Sequence, residues 1–241
     1  MRKILLFIIF CSITFLLSAC LYPEANLSQN QVPYKDQLAA VQQAVDDFQK
    51  DSGGLLPIKT RDNNTPIYQK YPIEFNKLSP RYMQEPPGTA FESGGVFSYM
   101  LVDVEENPTV KLIDLRMAEQ IKEVNIHLNL YRQKHSGYAP FKEVIADGVF
   151  SIDYKKLNMK EPPTVVSPYS GQLLPLVLNG KGELFVDYSS DLYEVLQKHK
   201  HTYKEGEDIR NLLVEHSSFV PAYSLPYTID EKTNEPIFLE K

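Results

Sequence analysis

One pattern occurs twice in this chain, as DQLAAVQQAVDDFQKDSGGLLP at residues 36–57 and as EQIKEVNIHLNLYRQKHSGYAP at residues 119–140. In each copy, apolar side chains recur with the spacing of one helix face, and a Ser-Gly pair and a proline follow. The apolar positions are Leu38, Val41, Val45 and Phe48 in the first copy and Ile121, Val124, Leu128 and Tyr131 in the second. The pattern predicts two amphipathic helices, and Asp36 is the predicted N-cap of the first.

The residues after each helix also correspond. IEFNKL at residues 73–78 matches IDYKKL at residues 152–157, and Pro-Pro and Ser-Gly pairs follow in both copies. Glu74 and Asp153 therefore occupy equivalent positions. Their alternation with apolar neighbours predicts that they lie on the solvent face of a strand rather than form an acid/base pair.

Each unit ends with two strand-like runs separated by turn-forming residues, which predicts a β-hairpin. The predicted strand pairs are Val96–Val104 with Val110–Ile113 and Leu173–Leu178 with Glu183–Val186. The sequence therefore predicts an α+β fold, with two tandem repeats of a helix packed on a small antiparallel sheet of three strands.

The repeat divides the chain into two modules, at residues 36–115 and 116–190, followed by a C-terminal extension at residues 191–241. Within the extension, helices are predicted from about residue 191 and over residues 208–216, and strands over residues 227–229 and 237–239. Phe219-Val220-Pro221 is similar to Tyr138-Ala139-Pro140, which suggests a degenerate third unit.

The N-terminus has the layout of a secretory signal peptide. Arg2 and Lys3 precede an apolar run, Ile4–Leu17, that is shorter than the about 20 residues of a membrane-spanning helix. The run ends in Leu17-Ser18-Ala19-Cys20, which resembles the lipobox of bacterial lipoproteins. The resemblance implies that residues 1–19 are a lipoprotein signal peptide and that Cys20 becomes the N-terminus, with a diacylglycerol on its thiol and an acyl chain on its amine.

Residues 20–35 are polar and contain Pro23 and Pro33, so they are predicted to form a flexible tether after the lipidated cysteine. Several acyl chains hold a protein stably on a bilayer, so we expect a cell-membrane protein anchored by lipid at the extracytoplasmic face. Cys11 would leave with the signal peptide and Cys20 would be consumed, which excludes a disulfide or a catalytic cysteine in the mature chain.

Two family resemblances follow from these residues. Gly54–Pro57 and Gly137–Pro140 end the predicted helices, and with the hairpins they resemble the globular part of type II secretion pseudopilins, in which one helix packs on a small antiparallel sheet. Over its whole length the chain resembles the YphF lipoproteins of spore-forming bacilli, on the lipobox, on NPTVKLIDL at residues 107–115 and on SPYSG at residues 167–171. That family has no established activity, so the resemblance implies a location and not a chemistry.

The composition and motifs argue against several functions. The net charge of −6 argues against nucleic-acid binding, which needs clustered Lys and Arg. No GxSxG, GxGxxG or P-loop motif occurs, so we predict no cofactor and do not favour an enzyme. One His/carboxylate cluster, His199 and His201 with Glu205, Glu207 and Asp208, is a candidate metal site. A solvated helix end is the interpretation that we favour there, and we predict no metal.

Tyr169, Tyr223 and Tyr227 lie in loops flanked by Pro and Ser. Exposed tyrosines in such loops bind peptides or glycans, because they supply a large contact area at a low entropy cost. The alternative is that each ring packs in the core. With 15 Tyr and no Trp in the chain, we favour packing, since Tyr would then be a general core aromatic.

Three functional hypotheses remain at this stage. The first is a structural or interaction protein at the cell envelope, with an envelope protein or glycan as its partner. The second is a ligand-capturing lipoprotein with a site between the modules. The third is an envelope hydrolase that uses His199 and His201. A pocket between the modules would favour the second, and convergence of the histidines with a carboxylate would favour the third.

Overall fold

The computed structural model describes residues 34–239. Helix α1 spans Tyr34–Asp51 and buries Val41, Ala44 and Val45, as the apolar pattern predicts. The prediction that Asp36 is the N-cap is wrong, because Asp36 lies inside the helix. The helix already includes Tyr34 and Lys35, which the sequence had assigned to the tether, and Tyr34 is held there by its ring contacts with Phe97 and Phe219.

Module 1 contains a hairpin of two antiparallel strands, β1 (Phe97–Val102) and β2 (Thr109–Asp114). A third segment, at residues 71–73, runs beside β1, where the Ile73 N–H donates to the Tyr99 carbonyl at 2.9 Å. This segment takes the place of the predicted third strand. The chain between α1 and β1 also contains the short helix α2 (Phe75–Leu78) and 3₁₀ turns at 67–69 and 91–93.

Module 2 begins with helix α3 (Leu115–Lys134), which is capped by the Asp114 carboxylate and buries Met117, Ile121, Val124 and Leu128. Its sheet has five strands, with β4, β5 and β7 each paired to β6 and β3 paired to β4. The strands are β3 (Phe141–Ala146), β4 (Val149–Ile152), β5 (Thr164–Val166), β6 (Leu173–Asn179) and β7 (Leu184–Val186). The sheet has two strands more than the three predicted. One is β3, which Asp147-Gly148, with Gly148 at φ +66°, joins to β4 in a hairpin, and the other is β5, which pairs with β6.

The sequence repeat is also a repeat of backbone hydrogen bonds. The Glu74 N–H donates to the Pro57 carbonyl at 2.7 Å, and the Asp153 N–H donates to the Pro140 carbonyl at 2.8 Å. The residues that follow these prolines pair in the same way, as Ile58 with Ile73 and as Phe141 with Ile152. Both modules therefore contain the same link between the end of the helix and the first extended segment.

The alternation predicts that Glu74 and Asp153 lie within a strand, and this prediction is wrong. Glu74 directly precedes helix α2, and Asp153 directly follows β4. Each carboxylate pairs with the lysine three residues later, Glu74 with Lys77 at 2.8 Å and Asp153 with Lys156 at 3.1 Å. The two positions are thus equivalent in their contacts as well as in the sequence.

The C-terminal extension contains two helices and a hairpin. They are α4 (Ser189–Lys198), α5 (Asn211–Glu215), β8 (Tyr227–Ile229) and β9 (Pro236–Phe238). Helix α5 is shorter than the predicted 208–216 because Asp208 turns back to accept hydrogen bonds from the main chain and side chain of Arg210. The predicted strand at residues 227–229 is confirmed.

Residues 217–224, which we call the closing segment, pair in parallel with the last strand of each module. The Leu112 N–H of β2 donates to the Ser218 carbonyl at 2.9 Å, and the Val220 N–H donates to the Leu112 carbonyl at 3.0 Å. In module 2, the Val186 N–H of β7 donates to the Tyr223 carbonyl at 2.9 Å. A single segment of the extension therefore binds the edges of both hairpins.

Two main clusters of buried side chains form the core. The first joins α1, α2, β1 and β2 of module 1 with Phe219 of the closing segment. The second joins α3 and the sheet of module 2 with the extension, from which Leu192, Ile209 and Tyr227 are fully buried. Tyr169 packs against both clusters. A smaller cluster packs Val214, Val220 and Ala222 of the extension on Met100 and Ile113 of module 1. The extension is thus part of the core of module 2 and contacts module 1 through Phe219 and through this smaller cluster.

Candidate functional site

A cleft of about 560 Å³ lies between the modules and the extension, and we call it the inter-module cleft. Helix α1 contributes Tyr34, Lys35 and Leu38 to its lining, and the loop after β5 contributes Pro168 and Tyr169. The remaining lining comes from residues 215–219, which run from the end of α5 into the closing segment. The volume falls within the range of small-molecule sites, about 300–1,000 Å³.

Aromatic rings form the base of this cleft. The ring of Phe219 lies 5.6 Å from that of Tyr34 and 6.5 Å from that of Tyr169, centroid to centroid. Tyr169 also makes an edge-to-face contact with Tyr188 at 5.9 Å. Such contacts are favourable and hold the rings in fixed orientations. The base of the cleft is therefore a set of packed rings that come from three distant parts of the chain.

Of the three candidate tyrosines, Tyr169 is the one that lines this cleft. Its hydroxyl oxygen is buried and has no hydrogen-bond partner among the described residues. Burial raises the pKa of Tyr169 well above its ordinary value, so the phenol is neutral and able to donate. An unpartnered buried hydroxyl costs about 1–3 kcal/mol. This hydroxyl is enclosed, so Tyr169 lines the cleft with other atoms of its side chain.

The rim of the cleft is polar. Lys35, Glu215, His216 and Ser218 supply a cation, a carboxylate, an imidazole and a hydroxyl. The His216 ring stacks on His199, with 3.6 Å between centroids and 12° between planes. The Ser217 hydroxyl donates to the Leu213 carbonyl at 2.8 Å and thus caps helix α5. This set of donors and acceptors is suited to binding a polar ligand or the polar rim of a partner.

The other two predicted tyrosines are packed rather than displayed. Tyr227 is fully buried; its hydroxyl donates to the Asp187 carboxylate at 2.8 Å and accepts from the Tyr188 N–H at 3.0 Å. Tyr223 is half-buried at φ +59° and packs on the core of module 2. The core packing that we favour from the sequence is therefore what the structure has at Tyr227, because strand β8 places it in the core.

The predicted His/carboxylate cluster does not converge. His199 stacks on His216, while the buried Nδ1 of His201 has no hydrogen-bond partner within residues 34–239. Asp208 is held by Arg210, with 2.6 Å between its Oδ2 and Nη2. Across this same range, no group of three or more His, Cys, Asp or Glu side chains is placed to hold a metal ion. The arrangement that a metal-dependent hydrolase needs is not assembled by the described residues.

Cys20, the predicted signal peptide and residues 20–33 of the tether lie outside the described residues, so the lipidation of Cys20 stays a prediction. In the part of the chain that is described, no helix combines the length and the apolar character required to cross a bilayer.

The first part of the chain has a recognisable relative among protein families. Residues 34–114 match the model of the YphF family N-terminal domain. This part of the chain is YphF-like. The match begins with α1 and ends with β2, so the YphF-like domain comprises module 1 without the closing segment. No curated protein and no solved structure matches the chain.

The sequence did not reveal the rim residues Lys35, Glu215, His216 and Ser218. Its one usable signal was the similarity of Phe219-Val220-Pro221 to Tyr138-Ala139-Pro140, which marked the closing segment as an ordered element. The pairing of that segment with β2 of the YphF-like domain is a long-range contact, and no local pattern predicts it.

Proposed function

We propose that this protein is a lipid-anchored extracytoplasmic protein with a structural or protein-interaction role at the cell envelope. The anchor is inferred from the lipobox Leu17–Cys20 and from the basic and apolar residues that precede it. The net charge of −6 supports a lipid rather than an electrostatic attachment, since anionic headgroups repel an acidic protein.

The observation that carries the interaction role is the closing segment. Proteins that capture solutes between two lobes commonly close by a hinge, which requires few contacts across the moving boundary. Here backbone hydrogen bonds of residues 217–224 tie β2 of the YphF-like domain and β7 of module 2 to the same short segment. Two modules held in this way form one body, and such a body is suited to presenting a fixed surface to a partner.

A side-chain contact strengthens the same link. Lys111 of β2 donates from its Nζ to the Val214 carbonyl at 2.7 Å and to the Ser217 carbonyl at 2.6 Å. These carbonyls lie at the end of helix α5, where a cation is favourable. The extension is therefore attached to the first module by both main-chain and side-chain hydrogen bonds.

The anchor is tested by Cys20→Ser in the native host, with membrane and soluble fractions compared. We expect the variant to lose its lipid and to leave the membrane fraction after high-salt washing. Cys11→Ser is the matched control, because Cys11 lies in the signal peptide, and it should remain membrane-bound. Retention of Cys20→Ser to the same extent as Cys11→Ser would overturn the proposed anchor.

The interaction role is tested with a photo-crosslinking residue placed in living cells at Ser218, on the rim of the inter-module cleft. We expect one discrete protein adduct, and the same residue placed at exposed Glu231 should give none. If Ser218 gives only the uncrosslinked protein while a small molecule co-purifies, the interaction role is overturned.

That last outcome would support a second candidate function, the capture of a small polar ligand in the inter-module cleft. The volume of the cleft and the polar residues on its rim favour it. Mass spectrometry of the protein purified under native conditions provides the measurement. A bound molecule that is lost in Lys35→Ala, on the rim of the cleft, and kept in Lys50→Ala, at an exposed residue of the same helix outside the cleft, would favour capture.

A further inference from the structure

A second cavity, of about 530 Å³, lies on the YphF-like domain beside helix α5, away from the proposed contacts of the inter-module cleft. Its walls include Tyr68 and Tyr71, and its floor includes Val102 at the end of β1. Ile67, which is 63% exposed, lies at its edge. We call it the tyrosine cavity. Its volume lies within the range of about 300–1,000 Å³ that is typical of small-molecule sites.

Both tyrosines offer ring surface rather than charge. Tyr68 lies in the 3₁₀ turn at residues 67–69, and burial raises the pKa of its hydroxyl well above the ordinary value. Tyr71 lies in the extended segment beside β1 and is half-buried against the module 1 core. Their faces carry the partial negative charge of the aromatic quadrupole, which attracts cations.

The charged residues that line the cavity are all acidic. They are Asp103, Glu105 and Glu106, in the turn between β1 and β2. Within residues 34–239, none of these three carboxylates forms a salt bridge or accepts a side-chain hydrogen bond. Carboxylates at the mouth of a concave, partly apolar site focus negative potential into it. The cavity is thus complementary to a cation that also has an apolar part.

The protein itself uses the same two rings to hold cations. The Arg210 guanidinium lies 5.2 Å from the centre of the Tyr68 ring, and the Lys70 Nζ lies 5.6 Å from that of Tyr71. Neither cation lines the cavity. Arg210 is further neutralised by its two-point contact with Asp208. Each ring therefore already interacts with one cation of the protein, whereas the carboxylates of Asp103, Glu105 and Glu106 have no basic partner among the described residues.

We propose that the tyrosine cavity binds an alkylammonium group. The cation lies between the tyrosine rings and the carboxylates of Asp103, Glu105 and Glu106, and the alkyl chain packs on Ile67 and Val102. Such a group is supplied either by a free amine or by a lysine side chain of a polypeptide. This proposal does not depend on the lipid anchor or on the inter-module cleft.

The test is calorimetric titration of the full-length protein in a non-ionic detergent at low ionic strength. The probes are n-pentylammonium as the free amine, Nα-acetyl-lysine methylamide as the lysine side chain, and 1-pentanol as the neutral analogue. We expect both ammonium probes to bind at least about tenfold more tightly than the alcohol, and binding should weaken as salt is added. Preference for one ammonium probe identifies the source of the group.

The decisive variant combines Asp103→Asn, Glu105→Gln and Glu106→Gln. It should weaken binding of n-pentylammonium at least about tenfold. The matched control combines Asp147→Asn, Glu205→Gln and Glu231→Gln, which removes the same charge from exposed residues outside the cavity and should change affinity less than about twofold. Tyr71→Leu, which keeps apolar area but removes the ring face, should also weaken binding.

Three results would overturn the proposal. They are no binding of either ammonium probe to the native protein, equal affinity for n-pentylammonium and 1-pentanol, and equal weakening by the two triple variants. All six carboxylates are exposed, so both triple variants should fold. Their thermal unfolding temperatures, measured alongside, identify a loss of binding that arises from unfolding.

Discussion

The two modules share a backbone pattern and differ in what completes their cores. Module 2 has a five-stranded sheet and shares its core with α4, α5 and β8 of the extension. Module 1 has a two-stranded hairpin, and the extension reaches its buried side chains through the ring of Phe219 and through a small cluster that packs on Met100 and Ile113. Equivalent sequence patterns therefore form equivalent local hydrogen bonds. The size of each sheet and core depends instead on the further strands and on the parts of the extension that pack against each module.

The largest expected effect comes from removing the ring of Phe219, through which the extension contacts the core of module 1. Phe219→Ala should lower the free energy of unfolding by about 3–5 kcal/mol, because the buried ring contacts Tyr34 and Phe97. Urea denaturation followed by circular dichroism gives the measurement. Phe91→Ala, at a ring that is 67% exposed, is the control and should stay within about 0.5 kcal/mol. A loss below about 1 kcal/mol for Phe219→Ala would mean that this ring contributes little to the core of module 1.

The equivalent Ser-Gly turns of the two modules offer a second, smaller test. In module 2 the Ser167 and Ser170 hydroxyls donate to Asp191 at 2.7 and 2.6 Å, whereas in module 1 the Ser93 hydroxyl donates to the Pro86 carbonyl. Asp191→Asn removes one acceptor oxygen and should cost about 1–3 kcal/mol at neutral pH. Ser93→Ala should cost about 1 kcal/mol, since it removes one hydrogen bond at a partly buried site.

The cost of Asp191→Asn should depend on pH. Desolvation by burial raises the pKa of Asp191, and the hydrogen bonds from Ser170 and Ser167 offset only part of this. The native state therefore binds a proton more readily than the unfolded state, so this group adds stability as the pH falls through its native pKa toward the ordinary value of about 3.9. The stability gap between native protein and Asp191→Asn should widen on acidification. A gap that narrows over that range would contradict the raised pKa.

The smallest expected effect on stability concerns Glu74 and Asp153, which have equivalent positions and contacts in the two modules. Glu74→Gln and Asp153→Asn each break a partly exposed ion pair with the lysine three residues later. Each should lower the free energy of unfolding by no more than about 1 kcal/mol, and the two losses should be similar. Urea denaturation at two salt concentrations measures them. A loss above about 2 kcal/mol in one module alone would show that the two ion pairs, although they have the same geometry, contribute differently to stability.

Much of the fold could be predicted because its signals are local. The stripe Ile121, Val124 and Leu128 is buried as the helical spacing requires, and both hairpins occur where turn formers separate apolar runs. The boundary at Asp36 was wrong because the ring contacts of Tyr34, which extend α1, are made with residues far away in the sequence. Local pattern does not report such contacts.

The candidate sites were less predictable for the same reason. Tyr227 stands in a stretch rich in Pro and Ser, yet it is buried because β8 packs into the core of module 2. Tyr169 was proposed from a similar stretch, and it does line a cleft. The surrounding composition of the two residues is alike. The difference between them arises from tertiary packing, which brings α1 and the closing segment next to Tyr169 alone.

The parallel attachment of Phe219 to β2 has a consequence for how the chain folds. Lys111 and Ser217, which are hydrogen-bonded across this attachment, stand 106 residues apart. Contacts of such high sequence separation form late and slow the folding reaction. The chain is synthesised from its N-terminus, so β2 forms before the closing segment exists. Until then the outer edge of β2 would present unpaired N–H and C=O groups, on which neighbouring chains can pair and aggregate. A fragment that ends at Asp114 would keep that edge open permanently, and self-association is therefore the behaviour that we expect of the isolated first module.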